Sequence, residues 1–353
     1  MTQRFLRTDA WSEGADSGSD AAPLVPIPTL PPEPPADAPL SAREGWLKVA
    51  NFALMAVALA RTRGAPAAAE DATARLGPLV AAHRRVLSPL LRPEAGAAET
   101  FAVAKSFFTA LAAADALLAS NASLRRDVAA VVAPLAAEPE RASDPLRLSS
   151  RNNHLLMRAA ALALWANIDG DAGMMDLARA HIDRFVGQID ADGFFPSEIV
   201  RGASALAYSN LAVMLLVTLT RIGAIAGEAL VDRAVLERAI AALAAGVEDP
   251  TIVHHLARKN MFPNPAHGPN PFATDLTFLR GYHSSRHLMS WVPLAHDLLG
   301  PEAVPAVLAR ALHTGEDLFP WGSEFVGGFV DALPSLGDRA ALLARQDGQA
   351  TGG

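Results

Sequence analysis

Residues 151–170 read RNNHLLMRAAALALWANIDG. A polar cluster opens the stretch, a run of alanine, leucine and other apolar residues follows, and a glycine closes it. Alanine and leucine are strong helix formers. Ser150 or Asn152 can cap a helix start by accepting a backbone N–H, and Gly170 suits the residue just past a helix end. The pattern predicts a helix over 151–168.

Outward from this helix the same pattern recurs. Helices are predicted near 42–63, 68–90, 98–119, 122–136, 172–190, 203–223, 231–246, 272–299 and 302–314, separated by breaks at Gly64 and Pro66, Pro93, Pro134 and Pro139, Gly193 and Pro196. Half of the 353 residues are apolar, enough for a sizeable core. Short connections between long helices imply antiparallel neighbours. Repeated antiparallel pairs can build a bundle, a solenoid or a closed α/α toroid, and periodicity does not choose between them. No regular helical repeat is visible.

The ends of the chain differ from this body. Eight of the 26 prolines lie between Pro23 and Pro39, and residues 1–40 are also rich in Gly, Ser and Asp. Such a segment has no core of its own and is expected to be a flexible arm. Residues 41–345 form the expected helical domain, and the polar, Gly-rich 346–353 an expected disordered tail.

Composition bounds the function. The net charge is −7 and the isoelectric point about 5.8, which argues against non-specific nucleic-acid binding. An anionic ligand would need a local basic groove on an acidic body. The absence of cysteine excludes disulfides and thiolate chemistry. The apolar run Asn51–Ala60 is too short to cross a bilayer, so no membrane insertion is expected. The first twenty residues lack the basic start and apolar core of a signal peptide.

Three polar clusters interrupt the apolar background. The first is Arg151-Asn152-Asn153-His154. Its bland reading is a helix cap with a satisfied histidine, and its functional reading is a neutral Asn/His pair donating hydrogen bonds to an anion. The second runs from Asp192-Gly193, a turn signal, through Glu198 and Arg201 to Tyr208, one of only two tyrosines. On one helix, Arg201 and Tyr208 would share a face roughly 10 Å apart along the axis. Their bland reading is a snorkelling arginine and a core tyrosine. The third cluster, Arg280 to His287, reads as a polar patch inside the predicted 272–299 helix.

RNNH, followed some forty residues later by QIDADGFFPSEIVRGASALAYSNLAVMLL (188–216), resembles polysaccharide lyase family 5, the bacterial alginate (poly-mannuronate) lyases. Order, spacing and residue types agree over roughly 150–225, and weakly again at Gly246–Pro250 and Asp275–Tyr282. The N-terminal third fits by helical character only. The resemblance implies an α/α toroid, periplasmic or secreted, that cuts an acidic polysaccharide by metal-independent β-elimination with no cofactor. By position, Asn153, His154, Arg201 and Tyr208 match the family's catalytic residues. One departure is Ser209, where the family usually has histidine after the tyrosine.

The chemistry fits those residue types. The C5 proton of a uronate is α to a carboxylate and very weakly acidic, so the carboxylate must first be neutralised or hydrogen-bonded. Asn153, His154 and Arg201 can do that. A tyrosine can then act as base if neighbouring cations lower its ordinary pKa of about 10. One tyrosine can also protonate the leaving oxygen when both lie on the same face of the sugar, as in mannuronate. With guluronate a second group such as His154 would act as base. Tyr282, Arg286, Arg280 and His283, with Lys105, are candidate substrate contacts. His283 and His287, at i and i+4 of a helix, could also pair on a metal, but groove lining is the preferred reading and no metal is expected. Rival readings are a lyase of glucuronan or another exopolysaccharide, a glycoside hydrolase using Asp192 and Glu198, and a non-catalytic polysaccharide-binding protein. The sequence sets no oligomeric state.

Overall fold

The computed structural model describes residues 25–91, 97–137, 151–259, 275–280, 282–283, 286–309 and 322–329. The predicted helical hairpins are present, with ends placed to within about a turn. Helix α1 (Leu40–Arg63) turns at Gly64 into α2 (Pro66–Leu87), and α3 (Ala97–Ser120) turns at Asn121 into α4 (Ala122–Ala137). Helix α5 (Asn153–Asp169) ends on Gly170 in the left-handed region (φ 75°), and Asp171 caps α6 (Ala172–Val186) by accepting from Met174 N–H. A one-turn α7 (Pro196–Ile199) precedes α8 (Ala205–Ala226). Gly227 ends that helix, Asp232 caps α9 (Arg233–Glu248), and the one-turn α10 (His254–Ala257) follows.

The helices sort into two layers by the distribution of their apolar residues. Every residue of α5 from Leu155 to Ala166 is buried, and so are Ala212–Leu219 of α8. A helix apolar on all sides must be surrounded. Accordingly α1, α3, α5, α8 and α11 (Trp291–Leu299) each touch the next, forming an inner layer. Helices α2, α4, α6 and α9 lie against their hairpin partners as an outer layer. The outer α6 buries one stripe, Met175, Ala178, His181, Ile182 and Phe185, with helical spacing. This is the α/α toroid, and among the described residues its inner helices form an arc. Gly202–Ala226 is long and apolar enough to cross a membrane by length and composition. In this fold it is the central core helix.

Three expectations change. The segment 272–299 is not one helix. It contains a 3₁₀ turn (Thr277–Arg280), an antiparallel pair β1 (Tyr282–His283) and β2 (Arg286–His287), and only then α11. Gly281, Ser284 and Ser285 are turn formers that compete with helix. His283 pairs in register with Arg286, and Tyr282 with His287, so the i, i+4 helical geometry behind the His283/His287 metal reading does not exist. The predicted 302–314 helix is, within the described residues, a 3₁₀ turn and the short α12 (Ala306–Ala309). The proline-rich arm, expected to be flexible, is docked over residues 25–39. Val25 is buried, Pro31 C=O accepts from the Trp46 indole N–H, Glu33 pairs with Arg85, and the Arg43 guanidinium donates to Pro35, Ala36 and Ala38 carbonyls. Residues 1–24 and 346–353, the rest of the arm and the expected tail, lie outside the described residues. A second two-residue pair, β3 (Gly322–Ser323) and β4 (Gly328–Phe329), packs on β2, α1 and α3.

Two buried histidines make stability pH-dependent. Desolvation holds both His83 and His181 near pKa 3, against about 6.5 in an unfolded chain. Between those values only the unfolded chain takes up the protons. Stability is therefore complete above pH 6.5 and lost as pH falls toward 3, by on the order of 1 kcal/mol per pH unit for each histidine. Glu198, pushed up to about 7, opposes this with one proton between pH 7 and its unfolded value, so the net effect is a loss. Melting temperature should fall from pH 6.5 to 5, and His83→Gln, which keeps a donor but not the titration, should flatten that slope. An unchanged slope would exclude His83 as a contributor.

Candidate functional site

The site lies at the N-terminal ends of α5 and α8, where the polar residues of the inner layer gather. Asn152 caps α5 through its side-chain oxygen, which accepts from His154 N–H at 3.1 Å. Asn153 opens the helix, and its backbone N–H donates to Glu198 Oε1 at 2.6 Å, while its Nδ2 lies 3.5 Å from Oε2. Glu198 is fully buried. Burial pushes its carboxyl up to about 7, resisted by the charge of Arg201 and the Asn153 N–H. Ser197 Oγ and Gln188 Nε2 both donate to Arg151 C=O, pinning the incoming loop to the start of α5. That loop turns where predicted. Asp190 Oδ1 accepts from Asp192 and Phe194 N–H, and Gly193 (φ 89°) lies where a Cβ would fall 2.8 Å from Arg238 C=O.

Glu198 was a candidate acid for glycoside hydrolysis. A carboxyl with no exposed surface, engaged with a helix N-terminus, cannot protonate a glycosidic oxygen, so the structure removes that role. Asn153 is likewise 1% exposed. It holds the helix start rather than offering an open amide.

His154 is half-buried and stacks on Phe101 of α3, with ring centroids 4.2 Å apart and planes 19° from parallel. Desolvation, then Arg201 and Arg158, hold its imidazole at about 4. It is therefore neutral at neutral pH and presents a hydrogen-bonding group, as the Asn/His reading expected. Its Nδ1 is buried and has no hydrogen-bond partner among the described residues.

The side chains of Arg201 and Tyr208 come together. Arg201 precedes a 3₁₀ turn at Gly202–Ser204, opened by Gly202 in the left-handed region (φ 57°). Its side chain folds back so that the guanidinium carbon lies 4.3 Å from the centroid of the Tyr208 ring. The turn interrupts the continuous helix on which the roughly 10 Å axial spacing was based. Since Arg201 also lowers the His154 pKa, one cation acts on both the histidine and the tyrosine.

Two residues beside Tyr208 carry structure. Ser209 is buried and returns its hydroxyl to Ala205 C=O. Asn210 is fully buried, donates to Leu288 C=O at 2.8 Å and accepts from the Trp291 indole at 2.9 Å. Asn210 lies inside the 188–216 stretch, where nothing in the neighbouring residues signals this role. It ties α8 to the segment just after β2, which brings the backbone of the third cluster next to α8. Asp275 N–H adds a second tie, to Ala203 C=O. Tyr282, His283 and Arg286 thus lie on strands, and Arg280 ends the preceding turn. Lys105 is not an open groove cation. It is 12% exposed and sits 3.6 Å from Glu324.

Residues 95–253 match the alginate lyase family. The match begins just before α3, upstream of the motifs that carry the resemblance, and ends before the β1–β2 pair. No curated protein sequence matches the chain. Among solved structures, alginate lyase A1-III from Sphingomonas species A1 superposes with TM-score 0.60 at 18% identity, over 84% of this chain and 77% of that one. A histidine-to-alanine variant of alginate lyase A1-III complexed with a tetrasaccharide gives TM-score 0.60 at 17% identity, over 84% and 79%. The apo form of that variant gives 0.60 at 16%, over 94% and 91%. At these identities the likeness is one of fold.

The Asn210 tie can be tested directly. Asn210→Ala leaves a buried carbonyl and a buried indole N–H without partners, each costing about 1–3 kcal/mol. Denaturant unfolding should show a loss of several kcal/mol, with solvent exposure of Trp291 reported by fluorescence. A loss below about 1 kcal/mol would mean that water or another group replaces the amide.

Proposed function

We propose that this chain is a polysaccharide lyase that cleaves a polyuronate, poly-mannuronate first, by β-elimination without a metal. The observation that carries the proposal is the Arg201 guanidinium, placed over the Tyr208 ring and close enough to His154 to depress its pKa. The match of residues 95–253 to the alginate lyase family supports the same reading, as does a tetrasaccharide complex in a protein of the same fold.

The chemistry follows from those groups. A uronate bound across the ends of α5 and α8 places its carboxylate against Arg201 and the neutral His154. Positive helix N-termini add to the favourable potential there. Arg201 neutralises the charge that builds on the carboxylate as the C5 proton leaves, and His154 donates a hydrogen bond to it. Tyr208 Oη is the base that takes the C5 proton. The electron pair of the broken C–H bond forms the C4–C5 double bond, and the C4–O bond breaks. The tyrosine then returns its proton to the departing oxygen. Guanidinium charge supplies the neutralisation in this scheme, so the step is routed through no metal.

Ser209 does not argue for another sugar. Its hydroxyl faces its own helix and is buried, so this departure from the family pattern lies off the groove. A single tyrosine serving as base and acid suits mannuronate, whose C5 proton and leaving oxygen lie on one face.

Three outcomes check this. Ultraviolet absorbance of a new unsaturated end should rise fastest on poly-mannuronate, in a panel with poly-guluronate and poly-glucuronate. Faster turnover of poly-glucuronate would replace the substrate, and saturated products would overturn the lyase. Tyr208→Phe should abolish turnover while oligosaccharide still binds. Prior chelation with EDTA should leave the rate unchanged, and a loss restored by added divalent cation would contradict the metal-free step.

A further inference from the structure

Outside the motif residues, a second buried polar group joins α1, α2, α3 and the β3–β4 turn. Asn51 of α1 is 1% exposed, His83 of α2 1% and Glu324, in the turn between β3 and β4, 3%. Desolvation keeps His83 neutral, so its Nε2–H donates to Asn51 Oδ1 at 2.9 Å, an acceptor only. The Asn51 amide donates to Glu324 Oε1 at 2.6 Å and to Ser106 Oγ at 3.1 Å. Lys105 of α3 lies 3.6 Å from Glu324 Oε2. The backbone of the turn also meets a helix hydroxyl: Thr218 of α8 shares its single proton between Met214 C=O at 2.9 Å and Phe325 C=O at 3.1 Å. Gly327 lies where a Cβ would fall 2.8 Å from Ala112 Cβ, so the turn sits flush on α3.

A buried carboxylate is costly unless paired and hydrogen-bonded. This one is both, across a separation of 273 residues. What the clamp fixes is Phe325. Its ring lies 6.1 Å from that of Phe101, and Phe101 is the ring on which His154 stacks. The Lys105 ammonium also sits 5.9 Å above the Phe325 ring. An unbroken path therefore runs from the Asn51–Glu324 clamp through Phe325 and Phe101 to the imidazole.

We propose that the β3–β4 turn is a positioning element of the site, in which Glu324, clamped by Asn51 and Lys105, seats Phe325 so that Phe101 forms the apolar platform orienting His154. Phe325 and Glu324 are positioning residues, acting on substrate only through His154. The proposal rests on the lyase reading for its effect on rate, but not for its effect on the imidazole.

The test follows the His154 ring directly, by NMR titration of the histidine resonances in wild type, Phe325→Leu and Glu324→Gln, with melting temperature and, on poly-mannuronate, kcat and KM. Loosening the platform admits water to His154, so its depressed pKa should rise toward the ordinary histidine value in both variants. Turnover should fall about 10- to 100-fold in kcat, with KM little changed, as misplacement of a catalytic group predicts. Phe325→Tyr, which keeps a ring, should restore both. If melting temperature falls while the His154 titration and kcat stay at wild-type values, the turn is only structural and the proposal fails. If the titration shifts but the wild type itself turns over no polyuronate, the lyase reading fails while the positioning stands.

Discussion

Helices α5 and α8 have no polar face to give to water, and that constraint organises the molecule. A helix buried on every side needs neighbours on every side, so each requires inner helices beside it and an outer partner behind it. The two-layer arc follows. The same constraint dictates where polar chemistry can sit. Along the middle of the inner layer a polar side chain is expensive, so polar residues collect at the helix N-termini, where orphan N–H groups need partners and the helix dipoles favour anions.

Three of the buried polar residues are ties to another segment. Glu198 holds the first N–H of α5, Asn210 holds the segment between β2 and α11, and Asn51 holds the β3–β4 turn. These ties place the short irregular segments against the inner helices. Arg201 is of a different kind. It is half-buried at the edge of this interior, its charge reaches His154, and its guanidinium lies on Tyr208. Burial holds the histidine neutral first, and in a medium that screens charge less than water does the one cation adds to that effect and offers a positive centre to a carboxylate.

Much of this was legible in the sequence, for local reasons. The 151–168 helix carried its cap in Asn152 and its stop in Gly170. The Asp192-Gly193 turn and the grouping of Asn153, His154, Arg201 and Tyr208 followed from short-range pattern and family resemblance. What was not legible was non-local or depended on a single break. Leu and Phe residues flanking Arg280–His287 sustained an apparent helical pattern, but Tyr282–His283 and Arg286–His287 pair as strands. Glu198 read as a possible acid because sequence does not report burial. Lys105 read as a groove cation because its partner lies more than two hundred residues away. The docking of the proline-rich segment depends on Arg43 and Trp46, which are unremarkable as helix residues.

The account turns on Arg201 acting as a planar cation over Tyr208 and not simply as a positive charge, so the most direct measurement is kcat/KM of Arg201→Lys on poly-mannuronate. Lysine keeps the charge but loses the stacked, forked geometry. The account predicts a fall of about 10²- to 10³-fold with an unchanged melting temperature. A variant within a few-fold of wild type would show that charge alone suffices and would contradict it.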